Sequence, residues 1–283
     1  MPANDPRRAA GVVLVVALLG ALLAAGATTG VAQDGTPANE TQDGTAQVRI
    51  VHAVPNAPAV DVAVDGETVL ENVTFGAASD YLSVDAGLRQ VAVTAANDSE
   101  AVYYDETLPI QPGTYTVAVA GEVGDDAAVP FTPVILLDEG TGPDADEALV
   151  RLAHLAPDAP AVDVTVAETG ATLFENVSFA NSSDYRNVSA GNYTLELRPA
   201  DDEAADPVAT VNATLDNATA YTASAVGYLD PATAPGDEPL DVLLEPDQLT
   251  EPTVENETGV TPDIRIETAQ ETPATGEPEE PDE

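Results

Sequence analysis

The stretch Val48 to Asp65, VRIVHAVPNAPAVDVAVD, returns from Val150 to Val166 as VRLAHLAPDAPAVDVTV. Arg49 answers Arg151, His52 answers His154, and Asp61 answers Asp163. Further on, Asn72-Val73-Thr74-Phe75 answers Asn176-Val177-Ser178-Phe179, and Ser79-Asp80-Tyr81 answers Ser183-Asp184-Tyr185. The spacing grows by two residues after the first block, which implies a short insertion in a hairpin of the second copy. A unit this long, present twice, is a duplicated domain and not a solenoid repeat.

Within each copy the pattern is that of strands. Val60, Val62 and Val64 alternate with Asp61, Ala63 and Asp65, the period of a half-buried strand. Asp65-Gly66 is a hairpin signal, and Ala86-Gly87 and Gln111-Pro112-Gly113 supply further turns. Short β-rich runs recur through both copies, and nothing after the N-terminal apolar run sustains helical spacing for more than two turns. The expected fold class is all-β: two tandem antiparallel β-sandwich domains of immunoglobulin-like kind. The expected boundaries are repeat 1 at 48–138, an acidic linker at 139–147 and repeat 2 at 148–245. A flexible leader (33–47) precedes them, and a disordered Pro/Glu/Thr-rich tail (246–283) follows.

The motif His52-Ala53-Val54-Pro55-Asn56-Ala57-Pro58-Ala59-Val60-Asp61-Val62 and its second copy resemble the signature of a secreted prokaryotic family, domain of unknown function 4397. The matching continues at Asn72–Phe75 and Tyr81–Gly87, and again at Asn176–Phe179 and Tyr185–Gly191. The resemblance spans roughly Val48 to Leu244. It implies an exported β-sandwich of cell-surface type and brings no catalytic residues. Asn56 stands where the family usually has Asp.

The net charge is −42, from 50 acidic and 8 basic residues. Self-repulsion on this scale opposes compaction in dilute buffer, and at about 1 M salt the Debye length falls to about 3 Å. A salt-adapted, haloarchaeal-type protein is expected, and nucleic acid or anionic membranes are poor partners for it. There is no cysteine, which excludes disulfides and thiolate chemistry.

Arg7-Arg8, an apolar run from Ala9 to Ala27 and small residues up to Ala32 make an export signal over 1–32. The run is also long enough to serve, uncleaved, as an N-terminal anchor. No C-terminal anchor is expected. Of twelve Asn, ten open an Asn-X-Ser/Thr triplet: Asn39, Asn72, Asn97, Asn176, Asn181, Asn187, Asn192, Asn212, Asn217 and Asn256. Chance would supply roughly one or two. These ten are the candidate glycosylation sites, and they too place the protein in the secreted or cell-envelope compartment.

Chemistry-bearing residues are few. His52 and His154 are the only histidines. Each reads as an imidazole bonded to the following Pro-rich turn, since a metal site normally needs three or four ligands. Arg49 and Arg151 fall on the opposite strand face, where they can pair with the excess carboxylates in a modest surface or edge role. Asp61 and Asp163 follow the second proline and could cap that turn or bind a cation, with capping expected. Tyr81 and Tyr185 are expected to pack with their hydroxyls at the rim. The acidic linker could hold Ca²⁺ but reads as a solvated connection.

No catalytic motif, metal site or cofactor is expected. The reading is a non-catalytic cell-surface structural, adhesion or recognition glycoprotein with an unidentified envelope partner. The alternatives are a carbohydrate- or calcium-dependent ligand-binding protein and a carboxylate glycosidase.

Overall fold

The computed structural model describes residues 44–251 apart from 126, 203 and 204, all within one compact unit, Thr41–Glu283. The expected signal segment over 1–32, Asn39, Asn256 and most of the expected tail lie outside the described residues.

Each repeat folds into two sheets. In the first, β1 (Thr45–His52), β4 (Leu82–Asp85), β7 (Gly113–Ala120) and β8 (Thr132–Leu137) form an inner sheet in the order β4-β1-β7-β8. Its outer sheet, in the order β3-β2-β5-β6, comprises β2 (Val60–Val64), β3 (Glu67–Val73), β5 (Gly87–Ala95) and β6 (Asp98–Ile110). The second repeat repeats the plan. Its inner sheet holds β9 (Glu147–His154), β12 (Asn181–Ser182), β13 (Arg186–Ser189), β16 (Thr219–Val226) and β17 (Asp241–Asp247). The order is β12-β9-β16-β17, with β13 also on β9. Its outer sheet runs β11-β10-β14-β15, from β10 (Val162–Val166), β11 (Thr172–Val177), β14 (Gly191–Pro199) and β15 (Ala209–Leu215).

The all-β expectation is met, but the inner sheets are mixed, while the outer sheets are purely antiparallel. β1 runs parallel to β7, and β9 runs parallel to β16. Strands joined by a tight hairpin must be antiparallel. β1 and β7 are instead connected through the whole outer sheet, which leaves their relative sense free.

The Asp65-Gly66 turn has φ of 51° and 81°. Positive φ at both positions is what a two-residue hairpin of the favoured twist requires. In the second repeat the same hairpin is longer, running from Val166 to Thr172 through Gly170, and this is the insertion read from the spacing. Gly121 and Gly227 are equivalent, at φ 92° and 88°, and a Cβ there would come within 2.3 Å and 2.2 Å of the Pro130 and Pro239 carbonyl oxygens.

Alternation along the inner strands serves two cores. On β9, Ala148, Val150 and Leu152 join the core of their own repeat, with Val162, Val164, Leu195 and Leu197 of the outer sheet. Ala153 points the other way, into a core shared between repeats. That shared core takes Val51, Ala53, Ala118, Ala120, Val134 and Leu136 from the first repeat, and Ala153, Leu155 and Val226 from the second. The inner sheets are therefore buried on both faces, and the four sheets stack outer–inner–inner–outer. This departs from two sandwiches held apart by a linker.

The expected boundaries shift accordingly. β1 begins at Thr45, inside the segment read as leader, and β17 runs to Asp247, past the expected end at 245. Beyond β17, the Thr250 N–H donates to the Asp138 carbonyl (3.0 Å) and its carbonyl accepts from the Gly140 N–H (3.0 Å). The Thr250 hydroxyl also bonds that of Thr114. The first residues of the expected linker and of the expected tail thus run side by side as part of the fold.

Candidate functional site

The densest polar constellation among the described residues lies where the inner sheets meet. Arg49 and Arg151, read as surface residues, are each only 3% exposed. Arg151 of the second repeat pairs with Asp138 of the first, and Arg49 of the first pairs with Asp247 of the second. Both carboxylate side chains are fully buried. Each also receives two hydroxyls from its neighbourhood: Tyr81 (2.7 Å) and Thr116 (2.8 Å) donate to Asp138. Tyr185 (2.7 Å) and Thr222 (2.7 Å) donate to Asp247.

The arrangement is reciprocal. Each Arg lies over the Tyr of its own repeat, at 5.1 Å for Arg49 on Tyr81 and 4.7 Å for Arg151 on Tyr185. Each then reaches across to the Asp of the other repeat and to the carbonyl preceding that Asp, Pro246 or Leu137. Two positive and two negative charges cancel in a water-poor seam, and the hydroxyls satisfy the remaining carboxylate lone pairs. Burial, with Asp138 beside it, pushes the Tyr81 hydroxyl up to about 12. Burial also raises the Asp138 carboxyl, against the pull of Arg151. The sequence placed both Arg on the right face. It misassigned their depth because that face meets a second sheet and not solvent. The signal available was the exact recurrence of Arg, Tyr and Thr in both copies.

At the other end of the seam, Tyr228 is fully buried and its hydroxyl donates to Glu122 at 3.2 Å. Glu122 in turn accepts from the Ala128 N–H.

His52 and His154 are fully buried and their ring nitrogens are occupied by backbone. Nδ1 of His52 accepts from the Val54 N–H (3.2 Å), so Nε2 carries the proton and donates to the Pro58 carbonyl (3.1 Å). His154 does the same with Ala156 (3.3 Å) and Pro160 (2.8 Å). The imidazoles stitch the strand end to the Pro-rich turn, as expected of a structural His. Burial pushes both below the usual histidine value. An unfolded chain binds protons near pH 6.5 that the native state refuses, so stability falls as pH drops below that value, towards the lowered native pKa. Denaturant titrations at fixed salt between pH 7.5 and 5.5 should show a loss of up to about 1.4 kcal/mol per pH unit per histidine. His52→Gln with His154→Gln should flatten that slope.

Asn56 donates to the Val123 carbonyl (2.8 Å) and accepts from the Val123 N–H (3.0 Å). Its counterpart Asp158 accepts from the N–H groups of Leu229 (2.7 Å) and Asp230 (2.9 Å). Either side chain ties the Pro-rich turn to the chain leaving the inner sheet. Asp61 and Asp163 accept from the N–H of Asn72 and Asn176, both 2.7 Å. Those Asn sit at positive φ in bulges of the outer sheets, so the two Asp hold a bulge of the neighbouring strand and not the Pro-rich turn they were expected to cap.

A cleft of about 520 Å³ opens along the seam, lined by Ile135, Leu137, Glu139, Arg151, Ser182, Asp184 and Tyr185 among others. Arg151 and the Tyr185 hydroxyl are committed to the ion-pair network. Ser182, Ser183, Asp184 and Glu139 supply the remaining polar side chains, alongside the half-exposed Ile135 and Leu137. Neither histidine lines it. Among the described residues no group of three or more His, Asp or Glu side chains is placed to hold a metal ion. The linker acids do not converge: Asp138 is used in the seam, and Asp144 and Asp146 are exposed.

All eight described acceptor asparagines (Asn72, Asn97, Asn176, Asn181, Asn187, Asn192, Asn212 and Asn217) are exposed. Six of them lie in the second repeat.

No curated protein sequence matches the chain. Among solved structures it is similar to CBMbc of family CBM26 from Eubacterium rectale, in complex with maltoheptaose. The identity is 7%, over 72% of this chain and 97% of that one, with a TM-score of 0.24. It is also similar to a putative cell adhesion protein from Bacteroides fragilis, at 9% identity over 74% and 100% of the two chains and a TM-score of 0.19. A leucine-rich repeat protein from Bacteroides thetaiotaomicron matches at 15% identity over 66% and 26%, with a TM-score of 0.18. Likenesses this slight carry no weight for ligand or activity. A family model matches twice in succession, over residues 46–165 and 164–257, so the chain belongs to the family described as Domain of unknown function (DUF4397).

Proposed function

We propose that this protein is an exported, N-glycosylated surface module of a salt-adapted cell, with an adhesion or recognition role and no catalysis. The observation that carries the reading is the division among asparagines. Every described Asn in an acceptor triplet is exposed, whereas Asn56, outside such a triplet, is spent on backbone hydrogen bonds. Asn kept almost wholly as exposed acceptor is the signature of a glycan-bearing face. The charge of −42 supports a high-salt exterior. Two immunoglobulin-like sandwiches, stiffened by the buried seam, would present fixed surfaces to an envelope partner.

Mass spectrometry of the native protein from separated medium and envelope fractions tests this. A start near Gln33 with sugar on several acceptors is the expected result. A full-length, sugar-free species inside the cell would overturn it.

A further inference from the structure

Two acceptor triplets of the second repeat lie directly against each other. β14 and β15 pair antiparallel with Asn192 opposite Thr214 and Thr194 opposite Asn212. The triplets Asn192-Tyr193-Thr194 and Asn212-Ala213-Thr214 are therefore side by side and head to tail. Their Asn and Thr share the outward face of the outer sheet, while Ala213 turns into the core.

The hydroxyl of each triplet bonds the amide of the other. Thr214 donates to Asn192 Oδ1 at 2.8 Å, and Thr194 donates to Asn212 Oδ1 at 3.3 Å. In a carboxamide the oxygen and nitrogen diverge from the carbon that carries them. Drawing each oxygen toward the partner strand turns each nitrogen away from it. Beyond Asn192, on the side away from β15, lies β10, and beyond Asn212 lies the open edge of the sheet, since β15 is the last strand in the order. A glycosylated amide keeps its oxygen, so both bonds survive sugar attachment.

Diagonal neighbours on a sheet are only about 7–8 Å apart, close enough for two sugars to collide if their nitrogens converged. We infer that Asn192 and Asn212 form a co-occupied pair, each triplet's threonine aiming the other's glycan outward. This rests on the glycosylation proposed above. The first repeat has no counterpart: Leu88 and Gln90 occupy the equivalent stretch of β5, across from Thr107 and Pro109 of β6.

The test is intact-mass spectrometry of the exported protein and of Asn192→Gln, Asn212→Gln and the double variant. Co-occupancy predicts that each single variant loses one glycan mass, that the double variant loses two, and that occupancy at the other site is unchanged. Alternating occupancy, in which a single variant loses no sugar because the second site fills, overturns the pairing. So does sugar elsewhere with both of these sites bare. A protein with no sugar at any Asn instead overturns the glycosylation reading itself.

Discussion

Asp247→Ala should destabilise the protein by about 3–5 kcal/mol, the cost of leaving a buried charge without its partner. Arg49 is 3% exposed, and its alternatives are the Pro246 carbonyl and the Thr116 hydroxyl, neither of which is charged. Tyr185 and Thr222 would lose their acceptor at the same time. Adding Arg49→Leu to the same chain should recover much of the loss, because the uncompensated guanidinium is the largest part of it. Chemical denaturation of the two single variants and the double variant at constant high salt measures the coupling. A loss under about 1 kcal/mol for Asp247→Ala would put the pair at a surface and contradict the buried seam. Asp138→Ala, on the other half of the reciprocal pair, should behave alike.

Ending the chain after Glu251 should leave the melting temperature unchanged, and ending it after Glu245 should abolish the cooperative fold. Six residues separate the two chain ends. They contain Asp247, the Pro246 carbonyl that accepts from Arg49 and the Gln248 N–H that meets the Tyr81 hydroxyl. They also contain Thr250, bonded to Asp138, Gly140 and Thr114. Domain stabilities are about 5–15 kcal/mol, and the shorter chain forfeits the whole Arg49 half of the seam. Thermal scans by circular dichroism decide the matter. A shorter chain that melts like the longer one would show that the last strand ends where its apolar residues end.

The strands were legible because β2, β5, β7 and their copies alternate apolar and polar residues, and Gly and Pro mark their ends. The duplication made the second repeat readable from the first. What local pattern could not give was the partner of the inner sheets' second face. Arg49 reads as a surface residue, and Thr114, Thr116 and Thr222 carry no apolar signal, yet all are buried. Their partners lie up to 198 residues away. Pro246-Asp247 likewise carries no apolar signal, and its place in a strand is set by the guanidinium it meets. The histidines and the Pro-rich turn were legible because their bonds are local, within six residues.

The Thr114–Thr250 contact fixes where the folded body is held. Thr114 is paired with Gln47 on the first strand, so the chain enters and leaves within about two strand spacings, roughly 10 Å. Threaded into a stalk, such a body adds almost nothing to its length. It hangs from one point like a bead on a loop, with its outer sheets free of the line of tension. A pull on the two ends would open the seam at Arg49 and Asp247 before it reached either outer sheet.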